Sequence, residues 1–201
     1  MKAKCGIPQA LRQSKGTHCV LIKERRAWLI YRTGIRVFLL GLLVFASSCV
    51  HKKRPPKVIP ASKVWAHVQL KAAGQGLDPH FVYAICTAES TLDANAETDV
   101  ARGMMQLTEA AWSDVTQRPY RHAFNWKINT DTGILYLGRL KGMLMKEGVF
   151  SYPRLAASYR WGFTRLKRGG FDVDKLPAPK NRIYQRLFAG EIAPVASPEG
   201  G

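Results

Sequence analysis

Residues 78–106 read DPHFVYAICTAESTLDANAETDVARGMMQ, and this stretch contains the clearest signals for the fold. Asp78 can cap a helix, and Pro79 suits the first helical position, where its missing N–H is not needed. The apolar residues that follow recur at helical spacing and form one stripe: Phe81, Val82, Ile85, Ala88 and Leu92. The stretch therefore predicts a helix whose apolar side is buried in the core of a domain.

Glu89 lies on this predicted helix, four residues after Ile85 and three after Cys86, so it borders the apolar stripe. A carboxylate there loses hydration, which favours the protonated form and raises its pKa. A carboxyl group that keeps its proton near neutral pH can act as a general acid in glycosidic cleavage. Taken by itself, Glu89 could also be a solvated helix-end glutamate paired with an arginine, so the motifs around it have to decide.

Further helices are predicted on both sides of this stretch. They cover residues 62–73 with Ser62 as N-cap, a short segment after Thr108, residues 131–146, a segment opening at Ser151, and residues 181–189. No alternating run is long enough to predict a confident strand. We therefore expect a compact all-α domain, with at most minimal β structure, over residues 61–190, and a disordered tail over residues 191–201.

An apolar run of 12 residues, VFLLGLLVFASS, occupies residues 37–48 and follows several arginines. It is shorter than the roughly 20 residues that a membrane-spanning helix needs, but it suits the core of a signal peptide. The small residues before Cys49 resemble a bacterial lipobox, in which the cysteine is lipidated. Residues 1–48 are predicted to be a lipoprotein signal peptide, with a length that suggests a misassigned start. An uncleaved anchor or an ordinary signal peptide is the alternative.

Charge and proline content indicate where such a domain would act. The chain has 31 basic and 14 acidic residues, and residues 1–48 hold nine and one of these, which leaves a net charge of +9 on the rest. Residues 49–60 are basic and proline-rich, and predict a lipidated, semi-rigid tether that reaches roughly 30 Å at about 3 Å per residue. We expect a location in the bacterial cell envelope, lipid-anchored at the outer membrane and facing the periplasm, with no nucleic-acid partner.

The cysteines and histidines indicate neither a disulfide nor a metal site. Cys5 and Cys19 lie in the predicted signal peptide, and Cys49 is the predicted lipidation site, so Cys86 is left alone and is expected to be a small buried hydrophobe. The five histidines are scattered without the spacing of metal ligands. We expect no metal, no cofactor and a monomer.

Three ordered motifs resemble those of the soluble-lytic-transglycosylase-like family, the family 23 glycoside hydrolases with a goose-lysozyme-like fold. The family reads E-S, then G-L-M-Q, then A-Y-N-x-G, and the similar segments here are residues 89–90, 103–106 and 157–162. Weaker similarities surround them, at residues 77–79, 95–96, 129–137 and 182–184. The resemblance covers nearly all of residues 62–188 and implies a compact, lysozyme-like helical domain with a cleft.

The resemblance implies that Glu89 is the single catalytic acid/base of a murein lytic transglycosylase. Such an acid protonates the glycosidic oxygen between N-acetylmuramic acid (MurNAc) and N-acetylglucosamine (GlcNAc). It then acts as a base toward the muramyl C6 hydroxyl, which closes on the anomeric carbon and leaves a 1,6-anhydro end. Asp93 and Asp99 have no match in the motifs and are interpreted as loop-capping residues.

The same resemblance implies a set of substrate-binding residues. Ser90 would orient the acid or the substrate acetamido group, and Met105 and Gln106 would line the cleft. Tyr159 and Tyr184 would aim their hydroxyls toward the acid or the substrate. The structural alternatives are a serine bonded to backbone, a methionine that fills the core, and buried tyrosines with satisfied hydroxyls.

Two positions depart from the family pattern. Arg160 stands where the family usually has Asn, and Glu109 replaces the usual proline after G-L-M-Q. Because Arg160 weakens the third motif, no role is carried onto it. Two alternatives to a transglycosylase stay open: a muramidase that uses water as acceptor, and an inactive peptidoglycan-binding or secretion-associated lipoprotein.

Overall fold

A computed structural model of the chain describes residues 54–198. Seven α-helices occur in this part: α1 Ala61–Ala72, α2 Pro79–Ser90, α3 Glu109–Ser113, α4 Trp126–Lys146, α5 Tyr152–Trp161, α6 Phe163–Arg168 and α7 Arg182–Phe188. The predicted signal peptide, Cys49 and residues 199–201 lie outside the described residues. No helix within residues 54–198 is long and apolar enough to cross a membrane.

Two very short strands and three 3₁₀ segments complete the secondary structure. The strands are Ala101–Arg102 (β1) and Leu107–Thr108 (β2), which pair antiparallel around a tight turn. The 3₁₀ segments are Ala73–Gln75, Tyr120–Phe124 and Val173–Lys175. The prediction of an all-α domain with minimal β structure is confirmed.

Helix α2 lies at the centre of the domain. Six consecutive residues, from Phe81 to Cys86, are buried, so the helix is covered on all sides over this span. It contacts α1 on one side and α7 on another, while α4 and α5 pack beside these helices and enclose one continuous apolar core. Asp78 caps α2 by accepting hydrogen bonds from the N–H groups of His80 and Phe81, and Pro79 is its first residue, as the sequence predicts.

Two helix starts differ from the sequence-based prediction. Helix α1 begins at Ala61 with Pro60 at the N-cap position, so Ser62 lies inside the helix and caps nothing. Helix α4 begins at Trp126 rather than at residue 131, because the Asn125 side chain caps it. The first turns of α4 carry polar residues on their buried side, namely Asn129, Thr130 and Thr132, so the apolar periodicity did not reveal them.

The described part of the predicted tether does not stand free of the domain. Residues 54–60 run extended along the loop that follows α2, and the Ile59 N–H donates to the Leu92 carbonyl at 3.0 Å. The Ala94 N–H donates to the Lys57 carbonyl at 2.9 Å, and Ile59 is only 6% exposed. The three prolines favour an extended backbone, and residues 54–60 pair with this loop in that form. The role of residues 49–60 as a lipidated tether stays a prediction.

Residues 191–198 contain no helix or strand, but they lie against the domain. Ile192 and Val195 pack on the core, and Arg186 of α7 pairs with Glu191 and donates to the Pro194 carbonyl. The boundary at residue 190 and the disorder of the tail stay predictions.

Candidate active site

Glu89 lies in the last turn of α2, where the helix leaves the core, and its side chain is only 9% exposed. The Tyr184 hydroxyl donates to Glu89 Oε1 at 2.5 Å. Arg160 Nη1 lies 3.5 Å from Glu89 Oε2, a long contact for a charged hydrogen bond. Oε1 of Glu89 therefore accepts a short hydrogen bond from a neutral hydroxyl, whereas Oε2 has only a long contact with the Arg160 cation.

The environment of Glu89 favours its protonated form. Burial raises the pKa of the carboxyl above its ordinary value, while the hydrogen bond from Tyr184 and the charge of Arg160 act in the opposite direction. Burial and the neighbouring Glu89 raise the pKa of the Tyr184 hydroxyl well above its ordinary value. The hydroxyl therefore stays protonated and acts as the hydrogen-bond donor to Glu89. A buried carboxyl group with a raised pKa is suited to give up and regain a proton.

The turn over residues 103–106 is held by hydrogen bonds to Asn129 of helix α4. Asn129 accepts a hydrogen bond from the Met105 N–H at 2.8 Å and donates to the Arg102 carbonyl at 3.1 Å. Gly103 has φ +79°, and a Cβ there would lie 2.1 Å from the Ala123 carbonyl oxygen and 2.3 Å from Asn129 Nδ2. Only glycine fits this position, which explains why the turn begins with it.

The structure brings Tyr159 and Tyr184 together beside Glu89, but gives them different partners. Tyr184 of α7 is buried and bonds Glu89 directly. Tyr159 of α5 donates to the Met105 carbonyl at 2.7 Å, so its hydroxyl fixes the turn rather than the acid. Burial, followed by the charge of Glu89, raises the pKa of Tyr159 well above its ordinary value.

Two cavities of about 420 Å³ each open on either side of Glu89. Both are lined by Glu89, Thr98 and Gln106, so they form two halves of one cleft. The first half lies beside helices α5 and α7 and is also lined by Tyr159, Arg160, Asn181 and Tyr184. The second half adds Arg54, Ser90, Thr91, Asn95 and Glu97. The cleft that the resemblance implies is therefore present, with the acid at its middle.

Three of the predicted substrate-binding residues have side chains that also contact other parts of the protein. Met105 is fully buried, and its sulfur packs where a Cβ on Gly133 would lie. Its role in lining the cleft stays a prediction. The Ser90 hydroxyl lines the second cavity but donates to the Cys86 carbonyl at 3.3 Å. The Gln106 amide nitrogen donates to two loop carbonyls at 2.8 and 3.0 Å, and the residue still lines both cavities.

Non-glycine residues with positive φ concentrate at this cleft. Thr91, Leu92 and Gln106 have φ values of 54°, 64° and 47°. Such backbone costs on the order of 1–3 kcal/mol per residue and persists only where surrounding contacts hold it. Thr91 ends α2 immediately after Ser90, and Gln106 closes the clamped turn, so the strain lies in the two segments that flank the acid.

Sequence reasoning missed three contributors to the site. Asn181 caps α7, donates to the Ala88 carbonyl at 3.1 Å and lines the first cavity. Its position before an apolar helical segment was a readable cap signal. The contact of Arg160 with Glu89 and the approach of Arg54 to the cleft had no local signal, since each depends on residues far away in the chain. Within residues 54–198 there is no cluster of acidic, His and Cys side chains that could hold a metal ion.

Comparison with protein families assigns the site its class. Residues 67–177 match the Transglycosylase SLT domain. Because the match covers more than half of the 201 residues, the chain belongs to this family. Membership indicates a transglycosylase and implies a peptidoglycan substrate. The matched range includes Glu89 and Tyr159 and ends before Tyr184. Comparisons with curated proteins and with solved structures gave no significant match.

Proposed function

We propose that the protein is a peptidoglycan lytic transglycosylase that cleaves the MurNAc–GlcNAc β-1,4 bond and leaves 1,6-anhydro-MurNAc ends. The observation that supports this most is the buried Glu89 carboxyl, held by the Tyr184 hydroxyl in the middle of an open cleft. Family membership supports the substrate class.

In the first step, protonated Glu89 donates its proton to the glycosidic oxygen, and the bond from that oxygen to the muramyl anomeric carbon breaks. Burial is the main influence on the pKa of this carboxyl and raises it, which favours the protonated form. Tyr184 holds Oε1, which leaves Oε2 to face the substrate once Arg160 moves from its long contact. The GlcNAc product leaves with the donated proton.

In the second step, the ionised Glu89 accepts the proton of the muramyl C6 hydroxyl while that oxygen bonds to the anomeric carbon. The carboxyl is thereby protonated again, no water is consumed, and one carboxylate serves both steps. A second acid is not required, and the nearby Asp93 is occupied, since its Oδ1 accepts from the Lys57 and Asn95 N–H groups at 2.7 and 2.8 Å. The bonds of Asp93 support its interpretation as a loop-capping residue.

Product analysis tests this function directly. The full chain in detergent is incubated with purified peptidoglycan, and the released fragments are identified by mass spectrometry beside those from Glu89→Gln. We expect anhydro ends from the wild type and at least a hundredfold less from the variant. Release that Glu89→Gln leaves unchanged would refute the role of Glu89, and reducing ends would indicate a muramidase.

A second candidate, an inactive peptidoglycan-binding lipoprotein, is favoured by one observation. Arg160 reaches the acid from the position that usually carries Asn in the family, and its charge stabilises the ionised carboxylate. An inactive protein would bind peptidoglycan without releasing fragments, and Arg160→Asn would not change this.

We also propose that the domain is lipid-anchored through Cys49 at the outer membrane, as a lipoprotein facing the periplasm. The support is the apolar run, the small residues and the cysteine in the sequence. Labelling with a fatty-acid probe in a bacterial host should mark the wild type and not Cys49→Ser. Equal labelling of both would refute the lipobox.

A further inference from the structure

Residues 54–60, here called the strap, are held against the loop that follows helix α2. Four hydrogen bonds join the strap to residues 92–95: two between backbone groups, one from the Lys57 N–H to Asp93 Oδ1 at 2.7 Å, and one from the Asn95 side chain to the Pro55 carbonyl at 2.8 Å. The buried Ile59 anchors its C-terminal end. Because residues 92–95 directly follow the end of α2, the strap is fixed close to Glu89.

The strap brings one cation, Arg54, to the edge of the second cavity. Its guanidinium carbon lies 4.2 Å from the centre of the Phe124 ring, which is within cation–π distance. The cavity that Arg54 lines also contains Glu89 and Ser90. A guanidinium has five N–H donors, and stacking on a ring leaves them available for a planar anionic group.

The acidic residues of the same cavity have partners other than Arg54. Asp93 accepts from backbone N–H groups of the strap and the loop, and Glu97 pairs with Arg102 at 2.9 Å. Among the described residues Arg54 has no carboxylate partner within ion-pair distance. The second half of the cleft therefore presents a cation that no carboxylate of residues 54–198 neutralises through an ion pair.

We propose that the strap holds Arg54 at the edge of the glycan-binding cleft and that Arg54 is a specificity-determining residue that binds a carboxylate of the glycan strand. This rests on the proposed function, because it assumes that peptidoglycan occupies the cleft. Peptidoglycan offers carboxylates of two origins, the lactyl group of MurNAc and the stem peptide. Either can form a bidentate pair with a guanidinium.

The test measures strand binding rather than turnover, so that it stands apart from the catalytic proposal. The full chain in detergent carries Glu89→Gln to prevent cleavage, and its Kd is measured with and without Arg54→Gln. Three soluble ligands are compared: strands with stem peptides, strands stripped of peptides so that the lactyl carboxylate is free, and stripped strands whose carboxylates are converted to amides. We expect Arg54→Gln to raise the Kd about tenfold for a carboxylate-bearing strand and less than twofold for the amidated strand.

The pattern across ligands identifies the group that Arg54 binds. A rise in Kd confined to peptide-bearing strands indicates the stem peptide, and a rise for stripped strands indicates the lactyl group. The matched control is Lys57→Gln, which removes the same charge from the same strap at an exposed residue that lines neither cavity. We expect it to leave every Kd within twofold of the parent.

Three outcomes would overturn the proposal: no change on any strand, an equal loss on the amidated strand, or the same loss in Lys57→Gln. The first means that Arg54 does not touch the ligand, the second that it acts only on the fold, and the third that net charge alone attracts the strand. Failure of the proposed function is a separate result, because it appears as absence of anhydro ends from the wild type while these binding differences remain measurable.

Discussion

On one side of Glu89 the cleft is lined by residues of helices α5 and α7, whereas on the other side it is lined by an irregular loop and by Arg54 of the strap. The helical side presents Tyr184 and Arg160, which both reach the carboxyl. The loop side presents Arg54, which lines the cavity without bonding the acid. The helical side thus lowers a Glu89 pKa that burial raises, and the loop side is suited to hold the strand.

The two sides also differ in how they are fixed. The helical side depends on core packing, since Tyr184 is buried and its helix contacts both α2 and α5. The loop side depends on hydrogen bonds between segments about 35 residues apart in sequence, and on strained residues such as Thr91 and Leu92. Substitutions on the helical side should therefore change catalysis, whereas those on the loop side should change strand binding and local stability.

The largest effect is expected where both sides meet, at the turn over residues 103–106. Gly103→Ala places a Cβ 2.1 Å from the Ala123 carbonyl oxygen at a positive φ, and should lower the free energy of unfolding by about 3 kcal/mol or more. The matched control is Gly142→Ala in α4, where a Cβ meets nothing within 4 Å and should stabilise the helix by up to about 1 kcal/mol. Urea unfolding checks both, and equal stability of the two variants would contradict the role of Gly103.

On the helical side, Tyr184→Phe removes the donor to Glu89 while keeping the ring. We expect kcat/KM to fall about tenfold to a hundredfold because a hydrogen bond to a charged group is lost. This bond lowers the Glu89 pKa, so its removal raises that pKa and moves the high-pH limb of activity to higher pH. Tyr152→Phe is the control, since the Tyr152 hydroxyl accepts from the Asp78 N–H at the far end of α2 and should not affect the pH profile.

On the loop side, Ile59→Ala loosens the strap without touching the acid. We expect the amide protons of Ile59 and Ala94 to lose protection from hydrogen exchange, with a loss of about 2 kcal/mol in local stability. Strand binding should weaken severalfold, while the pH profile should stay unchanged. Val58→Ala is the matched control because Val58 is 65% exposed, and equal effects of the two variants would contradict a docked strap.

Arg160→Asn introduces the residue that the family usually carries. It tests whether a charge on the helical side lowers the Glu89 pKa. The charge of Arg160 lowers the Glu89 pKa, so its loss raises that pKa and moves the high-pH limb of activity upward. The shift should be smaller than for Tyr184→Phe, because the Tyr184 hydrogen bond lowers this pKa more than Arg160 does. Arg165→Asn is the control, since Arg165 stacks on Trp161 without reaching Glu89. An unchanged pH profile in Arg160→Asn would contradict the contact.

The smallest effect concerns stability and pH. The folded pKa of Glu89 is raised above its unfolded value near 4.5, so the folded state binds the proton more tightly. Stability from this group is present below the unfolded pKa and is lost as the pH rises through the folded pKa. Glu89→Gln should therefore raise the thermal midpoint relative to wild type at pH 8 more than at pH 4. A difference independent of pH would contradict the raised pKa.

Much of the helical side could be predicted from the sequence, because its signals are local. Asp78 and Pro79 mark the start of α2, the apolar stripe marks its buried face, and Tyr184 follows a readable cap. The start of α4 was missed because a helix that buries Asn129 and Thr130 has no apolar period there. Tertiary hydrogen bonds, rather than hydrophobic burial, determine the position of that segment.

The loop side could not be predicted in the same way. The prolines and cations of residues 54–60 correctly indicate an extended segment, but nothing in them reveals that this segment pairs with residues 92–95. The motif predicts that Met105 lines the cleft. In the structure its carbonyl accepts a hydrogen bond from Tyr159, and its side chain packs in the core. Such distinctions depend on which atoms of a residue face the cavity.

Local patterns were enough to indicate a helical domain, a lone acid at the end of a buried helix, and the family to which the chain belongs. Capping, periodicity and motif order act over a few residues or along the chain, and these can be read in one dimension. Contacts between Glu89 and Tyr184, between Arg160 and the acid, and between the strap and its loop required the folded chain. Their strength depends on distance and burial in three dimensions, which no spacing along the sequence specifies.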